Sequence, residues 1–547
     1  MTADQRYLPC PIEAMDAGVL ADNDGLVVVA DSLQALRSAK NFQSFTGGGD
    51  IVSKICDFAD SIDASLLKGG VGVVPLPEHK LRRAVVSFTG VVTRDFDDAR
   101  SFTEAGLGAM NKALSMGMKR PLLMTTPHKS YPMAELCQLL GALHALYVPI
   151  EVQEACPEKK QKLEKLSVTS ADSRLTLVHL TVEFAKAIQA GKTVHCDIIG
   201  SDPERMTPIK TAEYVQQAFG KDSVVKVSVV EDQAVIEKEF PLMAAVNRCA
   251  NTVPRHQARL IELEYQGAGE IQDTVMMVGK GVTIDTGGVD LKVNGVMLGM
   301  SRDKGGAAAV AGFFKALEAL RPRHLKAVAY LCMVRNSIGA NAFTCDEIIR
   351  ARSGLRVRIY NTDAEGRIAM LDPLCKMRER ATSEKNPLLM TLATLTGHEV
   401  LTYGPGYSAV MENGPARQQR EGELLQKAGE DIGDMVEVSR LRREDYDFHR
   451  GKCDYEDLRQ GGNKPSVQTC RGHNGPGAFL VMGSRLDEHG MYSVHCMYGC
   501  DSTHSIKFMH MDMAGGDDNF PDIPTGCPVP ALVSRFVLPQ YTADNIH

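Results

Sequence analysis

Two short stretches decide how this chain folds: Lys280-Gly-Val-Thr-Ile-Asp285-Thr-Gly-Gly-Val-Asp-Leu-Lys292 and Asn361-Thr-Asp363-Ala-Glu365-Gly-Arg367. Between them lies Ser301-Arg-Asp303-Lys-Gly-Gly-Ala-Ala-Ala, which adds an acidic residue beside a glycine turn. Each stretch places carboxylates or lysines where an apolar run stops. Because parallel sheets bind their ligands at the carboxyl ends of their strands, we expect these charged groups to meet in one cleft.

Around these stretches, short apolar runs alternate with helical patterns, as is typical of a parallel sheet covered by helices on both faces. In the second half, strands are predicted at 273–279, 324–333, 355–360 and 388–395, and helices at 305–320, 345–351, 366–381 and 416–432. In the first half, strands are predicted at 25–30, 72–75, 83–88, 121–125 and 145–150, and helices at 101–116, 133–144 and 177–190. Thr207-Pro208 predicts the N-cap and first residue of a further helix, 209–219.

The predicted fold class is therefore α/β, with two domains. Residues 1–170 form a smaller N-terminal α/β domain, and residues 171–547 form a larger catalytic domain with a mostly parallel, doubly wound sheet. The charged run between Glu158 and Leu166 ends the first domain as a linker, and we expect it to be a solvated helix. Thr46-Gly-Gly-Gly-Asp50 lacks the lysine and hydroxyl of a phosphate loop, so it is interpreted as a glycine turn.

Composition argues against several classes of protein. The 547 residues are 44% hydrophobic and carry a formal charge of -7, with no basic stripe of the kind that nucleic-acid binding requires. No stretch approaches 18 uninterrupted apolar residues and the N-terminus shows no apolar leader, so neither a membrane span nor secretion is expected. Fourteen scattered cysteines are typical of a reducing compartment, and a cytoplasmic protein is predicted.

The acidic residues of the cleft are typical of a metal centre. Four carboxylates gathered in one partly closed cleft would repel one another strongly without cations. Two divalent ions sharing them is an arrangement used in hydrolytic sites. The residues are Asp285, Asp303, Asp363 and Glu365. Any one of them alone would more simply be a loop carboxylate with a surface partner, and it is the combination with glycine turns that favours a site.

Basic residues in the same stretches leave two interpretations open. A lysine beside metals either coordinates as a neutral amine or stays charged and stabilises developing oxyanion charge, and Lys280 and Lys292 are candidates for these roles. Arg367 opens a helix, where a guanidinium beside helix N–H groups makes an anion pocket.

Taken together, these stretches resemble the signature of the leucyl aminopeptidase family, the di-zinc cytosol aminopeptidases. The resemblance covers roughly residue 175 to the C-terminus, and the segment from Asn361 to Arg367 is very specific. It implies that Asp285 and Glu365 bridge two metals, that Lys280 and Asp303 complete one metal site, and that Asp363 completes the other. It further implies that Lys292 stabilises the oxyanion and that Arg367 holds a bicarbonate or similar anion.

The resemblance also implies an activity. The family's enzymes release N-terminal amino acids, leucine-like residues preferred, from peptides with a free N-terminus by two-metal activation of a bridging water or hydroxide. Zinc is the expected metal, with manganese at an exchangeable site, and a homohexamer is the expected assembly. Four residues match family positions near the substrate: Met300, Thr394, Leu395 and Gly397.

Departures from the family pattern leave the first-residue preference open. Pro203-Glu-Arg-Met206 and Leu371-Asp-Pro-Leu374 differ from the usual motifs. A catalytically weak or silent scaffold protein and an amide hydrolase with a narrower pocket are the competing functions. His495, Cys496, Cys500 and His504 have zinc-like spacing but no second pair, so they are interpreted as an ordinary loop. Gly472-His-Asn-Gly-Pro-Gly-Ala-Phe479 is interpreted as the turn before a helix.

Overall fold

The computed structural model describes residues 3–16, 22–45, 48–61, 64–491, 505–517 and 519–541. The chain forms two compact units: Met1–Thr193 with Ala428–Asp434, and Val194–Lys427 with Met435–His547. The predicted domain boundary at residue 170 stays a prediction. In the described part of the chain, no helix has both the length and the apolar character needed to cross a membrane.

The N-terminal unit contains a six-stranded sheet. Its strands are β1 (Ile12–Ala14), β2 (Gly25–Ala30), β3 (Val71–Leu76), β4 (Arg82–Phe88), β5 (Pro121–Thr125) and β6 (Leu166–Ser170). Its helices are α1 (Leu33–Ser38), α2 (Lys40–Ser44), α3 (Gly48–Ser61), α4 (Arg100–Ser115), α5 (Ala134–Leu146), α6 (Ile150–Ala155) and the first part of α7 (Leu175–Gly200). The order is β1-β6-β5-β2-β4-β3, parallel throughout except at β3.

Four predicted strands of this unit are confirmed and one is wrong. The apolar run 145–150 contains the end of α5 and the start of α6, and the sequence patterns did not predict two strands of the sheet, β1 and β6. The helix predicted over the charged run is also wrong: the run is largely exposed, but only a 3-10 turn, Pro157–Lys159, forms before β6 begins at Leu166. The hydroxyls of β6 find buried partners, as where Asn23 Nδ2 donates to Ser167 Oγ at 3.1 Å. Thr46 and Gly47 of the predicted turn lie outside the described residues.

The C-terminal unit contains the remaining strands and most of the remaining helices. The strands are β7 (Val225–Val230), β8 (Arg259–Gln266), β9 (Asp273–Asp285), β10 (Leu325–Asn336), β11 (Ile348–Arg350), β12 (Arg356–Arg358), β13 (Pro387–Ala393), β14 (Tyr407–Glu412), β15 (Met435–Arg440), β16 (Leu458–Arg459) and β17 (Lys507–Asp512). The helices are α8 (Pro208–Phe219), α9 (Gln233–Glu239), α10 (Pro241–Asn247), α11 (Gly305–Leu320), α12 (Glu365–Ala381), α13 (Gly397–Tyr403), α14 (Gly414–Gln418), α15 (Glu421–Ile432), α16 (Arg443–His449), α17 (Asn474–Gly483) and α18 (Val529–Phe536).

Eight of these strands form the main sheet, in the order β15-β14-β17-β13-β9-β10-β8-β7. The central strands β17, β13, β9 and β10 are parallel, whereas β14 pairs antiparallel with β17 and β8 with both its neighbours. The predicted α/β fold with a mostly parallel sheet is confirmed. A separate three-stranded sheet has the order β11-β12-β16.

Local predictions in this unit are mostly confirmed. Thr207 caps α8 through its side chain, which accepts a hydrogen bond from the Lys210 N–H. The predicted helix 345–351 is wrong, because Ile348–Arg350 pairs antiparallel with β12. The predicted helix 416–432 is divided into α14 and α15 at Arg420, which has a positive φ of 58°.

Candidate active site

The charged residues of the cleft follow the carboxyl ends of the central parallel strands. Strand β9 ends at Asp285, and the helix that opens beside it, α11, begins two residues after Asp303. Helix α12 begins at Glu365, and β13 ends just before Thr394. Adjacent parallel strands therefore bring segments more than 100 residues apart to one edge of the sheet.

One half of the cluster is centred on Lys280. Its ammonium lies 2.7 Å from Asp303 Oδ1 and 2.8 Å from Glu365 Oε1, and it donates to the Thr394 carbonyl at 3.1 Å. All three charged side chains are at least 93% buried. Burial disfavours the charge on Lys280, but the carboxylates of Asp303, Glu365 and Asp285 outweigh that effect and raise the pKa of Lys280.

Lys292 forms the other half of the cluster. Its ammonium lies 2.9 Å from Asp285 Oδ2 and also contacts Asp363 Oδ1. Burial opposes its charge as well, yet the neighbouring carboxylates raise the pKa of Lys292. Two lysines therefore share the charge of four carboxylates, which leaves the cluster with an excess of negative charge.

The carboxylates of Asp285, Asp303 and Glu365 fit a metal ion. One oxygen from each lies within 4.8 Å of the others, and all three side chains are buried. Asp303 Oδ2 has no hydrogen-bond partner among the described residues, so a buried acceptor is left for a cation. Burial raises the pKa of Asp303 and of Asp363, because negative charge is costly there without compensation. A donor set of carboxylate oxygens and an amine nitrogen suits zinc, whereas a set of oxygens alone suits manganese.

Arg367 lies beside the cluster in the first turn of α12. Its Nη1 donates to the Gln460 carbonyl at 3.2 Å, and its Nε has no hydrogen-bond partner among the described residues. Burial lowers the pKa of Arg367 to about 10, which still leaves the guanidinium charged at neutral pH. A buried cation with an unused donor is suited to holding an anion.

One cavity of about 970 Å³ joins these groups. Every site residue predicted from the sequence lines it: Lys280, Asp285, Lys292, Met300, Asp303, Asp363, Glu365, Arg367, Thr394, Leu395 and Gly397. Met300 begins a 3-10 turn, Thr394 and Leu395 follow β13, and Gly397 begins α13. The cavity exceeds the space of one amino acid and lies at the upper end of the usual size of ligand sites, so it can hold a peptide.

The family described as "Cytosol aminopeptidase family, catalytic domain" matches residues 194–533. The chain belongs to this family. A putative aminopeptidase of Caenorhabditis elegans is 51% identical over 458 residues, which span 84% of this chain and 85% of the relative. Family membership makes the chain a metal-dependent aminopeptidase, so this predicted activity is confirmed, and the scaffold alternative receives no support.

Solved structures show the same fold. The apo leucyl aminopeptidase of Trypanosoma cruzi is similar with a TM-score of 0.73 and 19% identity, and the match covers 96% of each chain. The bottromycin maturation enzyme BotP, solved in complex with Mn, has a TM-score of 0.71 and 20% identity, with 95% of this chain and 100% of BotP covered. At these identities the similarity concerns the fold.

Three residues of this aminopeptidase that sequence reasoning missed hold the cluster in place. Asn336, at the end of β10, donates to Asp285 Oδ1 at 2.8 Å and to the Thr362 carbonyl at 3.1 Å. Asp290 Oδ2 accepts from the Thr362 N–H at 2.7 Å, which ties the Lys292 loop to the Asp363 loop. The third, Gln460, donates from its side chain to the Asn361 carbonyl at 2.6 Å. An asparagine where a strand ends could have been suspected, but no local pattern marks the other two.

Of the two remaining sequence motifs, the structure describes only the one that begins at Gly472. The segment with His495, Cys496, Cys500 and His504 lies outside the described residues. Gly472 lines the cavity, and α17 begins two residues later, as expected for a turn before a helix.

Proposed function

We propose that this aminopeptidase removes the first residue, preferentially a leucine-like one, from peptides with a free N-terminus, using two divalent cations held in the cavity. The observation that carries the proposal is that five candidate ligand side chains from three separate segments line one cavity large enough for a peptide. Zinc suits the mixed nitrogen and oxygen donors. Manganese at an exchangeable site is supported by BotP, which was solved with Mn.

The proposed ligands follow from the positions of the side chains. Asp285 and Glu365 would bridge the two cations, Lys280 and Asp303 would complete one site, and Asp363 would complete the other. Asp285 is suited to bridging because its Oδ2 faces Lys292 while a carboxylate oxygen also lies within 4.8 Å of Asp303 and Glu365. When bound, the cations would supply Lewis acidity and lower the pKa of water at the scissile carbonyl.

Lys280 must lose a proton to act as a ligand. Its carboxylate neighbours raise its pKa, so without a cation it stays an ammonium and pairs with Asp303 and Glu365. A cation that replaces this ammonium charge would compensate the same carboxylates. Metal loading would therefore release a proton, and metal affinity would increase with pH.

Two other cationic residues have roles in the reaction itself. Lys292 keeps its charge against Asp285 and Asp363 and would stabilise the negative charge that develops on the carbonyl oxygen. Arg367 would hold a bicarbonate or similar anion through its Nε, which has no hydrogen-bond partner among the described residues, and such an anion would supply a proton-relay group. The first side chain of the peptide would contact one wall of the cavity, which is formed by Met300, Thr394, Leu395 and Gly397.

Activity of the metal-stripped protein tests the proposal. The stripped protein should be inactive on aminoacyl chromogenic substrates, and Zn²⁺ or Mn²⁺ should restore activity with leucyl derivatives hydrolysed fastest. Lys292→Ala should lower kcat by about 10²–10³-fold, the usual cost of removing one oxyanion donor. Lys226→Ala, on the exposed face of β7, is the matched control and should leave kcat unchanged. Full activity of Lys292→Ala would disprove the oxyanion role, and activity without metal would disprove the proposal.

Two further proposals concern location and assembly. We propose a cytoplasmic location, because the matching family is described as one of cytosol aminopeptidases. We also propose a homohexamer, which is the assembly that the sequence resemblance implies. Sedimentation velocity of the full chain measures the assembly, and a monomer at micromolar concentration would contradict it.

A further inference from the structure

The small sheet β11-β12-β16 has no strand in common with the main sheet, yet it ends beside the active site. Strand β12 pairs in parallel with β16, with Val357 opposite Leu458. Arg356 fixes this register: its guanidinium donates to both carboxylate oxygens of Asp457, at 3.1 and 2.8 Å, and its N–H donates to one of them at 2.7 Å. The residue that directly follows β16 is Gln460, so the register of the small sheet sets the position of Gln460.

The side chain of Gln460 is fully buried and uses all its hydrogen-bonding capacity on one segment. Its Oε1 accepts from the N–H groups of Tyr360 and Asn361, both at 3.1 Å. Its Nε2 donates to the carbonyls of Asn361 at 2.6 Å and Ala364 at 2.7 Å. Two acceptor and two donor positions are all that a glutamine amide offers. Only one orientation of the amide satisfies all four bonds, so the backbone of this segment is held at four points.

The main chain of Gln460 adds a link to the arginine. Its carbonyl accepts from Arg367 Nη1 at 3.2 Å, and its N–H donates to the Arg358 carbonyl at 3.0 Å. One residue therefore contacts both the segment that carries Asp363 and the guanidinium of Arg367. Neither its side chain nor its main chain reaches the carboxylates themselves.

We propose that Gln460 is a positioning residue for the hydrolysis, one that holds the Asp363 carboxylate and the Arg367 guanidinium in a fixed relation to each other. This inference rests on the proposed function. The segment from Asn361 to Ala364 forms neither helix nor strand, so no secondary-structure ladder holds it. Asp290 ties one side of it through Thr362, and Gln460 ties the other. Removing the amide frees the segment on the side that faces Arg367.

The variant Gln460→Met tests this inference, because methionine keeps the length and bulk of glutamine but has no amide. Residues that orient ligands from behind typically change metal affinity or activity by 10–100-fold when replaced. We therefore expect kcat/KM on leucyl-4-nitroanilide to fall about 10–100-fold. The Kd for Mn²⁺, measured by titration of the metal-stripped full chain, should rise by a factor in the same range. A residue that only stabilised the fold would change neither value per folded molecule.

Gln216→Met is the matched control, because Gln216 is exposed on α8 and its side chain lies away from the cavity. Circular dichroism and thermal unfolding report whether each variant is folded at the assay temperature. If Gln460→Met does not fold, Gln460→Asn replaces it; asparagine keeps the amide but is one methylene too short to make all four bonds. A folded variant with kcat/KM and Mn²⁺ affinity within twofold of wild type would overturn the positioning role. Inactivity of the wild-type protein with metal would instead refute the proposed function.

Discussion

Replacing Gly366 with alanine should disable the metal site without replacing any proposed ligand. Gly366 lies in the first turn of α12, between Glu365 and Arg367. A methyl group at this position would collide with Cε of Lys280 and lie 2.7 Å from both its Cδ and its Nζ. Non-bonded carbon atoms prefer about 3.5–4.0 Å, so the lysine would have to retreat by roughly 1 Å.

That retreat is opposed by the contacts that hold the lysine. The ammonium lies 2.7 Å from Asp303 and 2.8 Å from Glu365, and the side chain is 3% exposed. A misplacement of about 1 Å can cost roughly 10²-fold in rate, which corresponds to about 2.7 kcal/mol of transition-state stabilisation. In a helix interior alanine is favoured over glycine by about 0.5–1 kcal/mol, so the fold itself should lose little.

The assay compares kcat/KM and the Kd for Mn²⁺ of Gly366→Ala with those of Gly108→Ala. Gly108 lies in α4 of the N-terminal unit, where a methyl group would meet only Val71 Cγ2, at 3.2 Å. We expect an approximately 10²-fold loss of kcat/KM and weaker Mn²⁺ binding in the first variant, and no change in the second. Wild-type kcat/KM and Mn²⁺ affinity in Gly366→Ala would refute the placement of Lys280 as a ligand.

Two further predictions concern stability. In Gly306→Ala the new methyl would collide with the Leu392 carbonyl and lie 2.8 Å from the backbone nitrogen of Lys280, and neither backbone group can rotate away. The free energy of unfolding should fall by about 1–3 kcal/mol or more. An unchanged denaturant midpoint would contradict the close approach of α11 to β9 and β13. Burial, His398 and Arg471 lower the pKa of His473 to about 4. Because an unfolded histidine titrates near 6.5, the unfolded chain binds the extra proton between these values, and wild-type stability should fall as pH falls from about 6.5 to 4. His473→Gln should show a smaller drop in thermal midpoint between about pH 7 and pH 4.5, and an equal drop would exclude His473 as a source.

Sequence patterns predicted the α/β class, the central strands β9, β10 and β13, and the charged residues that meet in the cavity; they did not predict the fourth central strand, β17. Each of these depends on local information: the alternation of apolar runs, the N-cap at Thr207, and the position of Asp285 and Glu365 at element ends. Parallel strands bring their carboxyl ends to one edge, so the meeting of the charged residues followed from topology alone. Where local signals were ambiguous, as at 145–150 and 345–351, the predictions were wrong.

Tertiary structure alone decided which residues support that cluster. Gln460 holds backbone groups 96–100 residues earlier in the chain, and Asp290 holds Thr362 across 72 residues. Such contacts depend on how loops close around one another, and a glutamine or aspartate in a loop carries no periodicity or motif that predicts its partner. The ion pairs of Lys280 are a second example, because only the approach of α11 and α12 to β9 surrounds that lysine with carboxylates. Residue types determined the chemistry of the site, and the packing of distant segments determined its geometry.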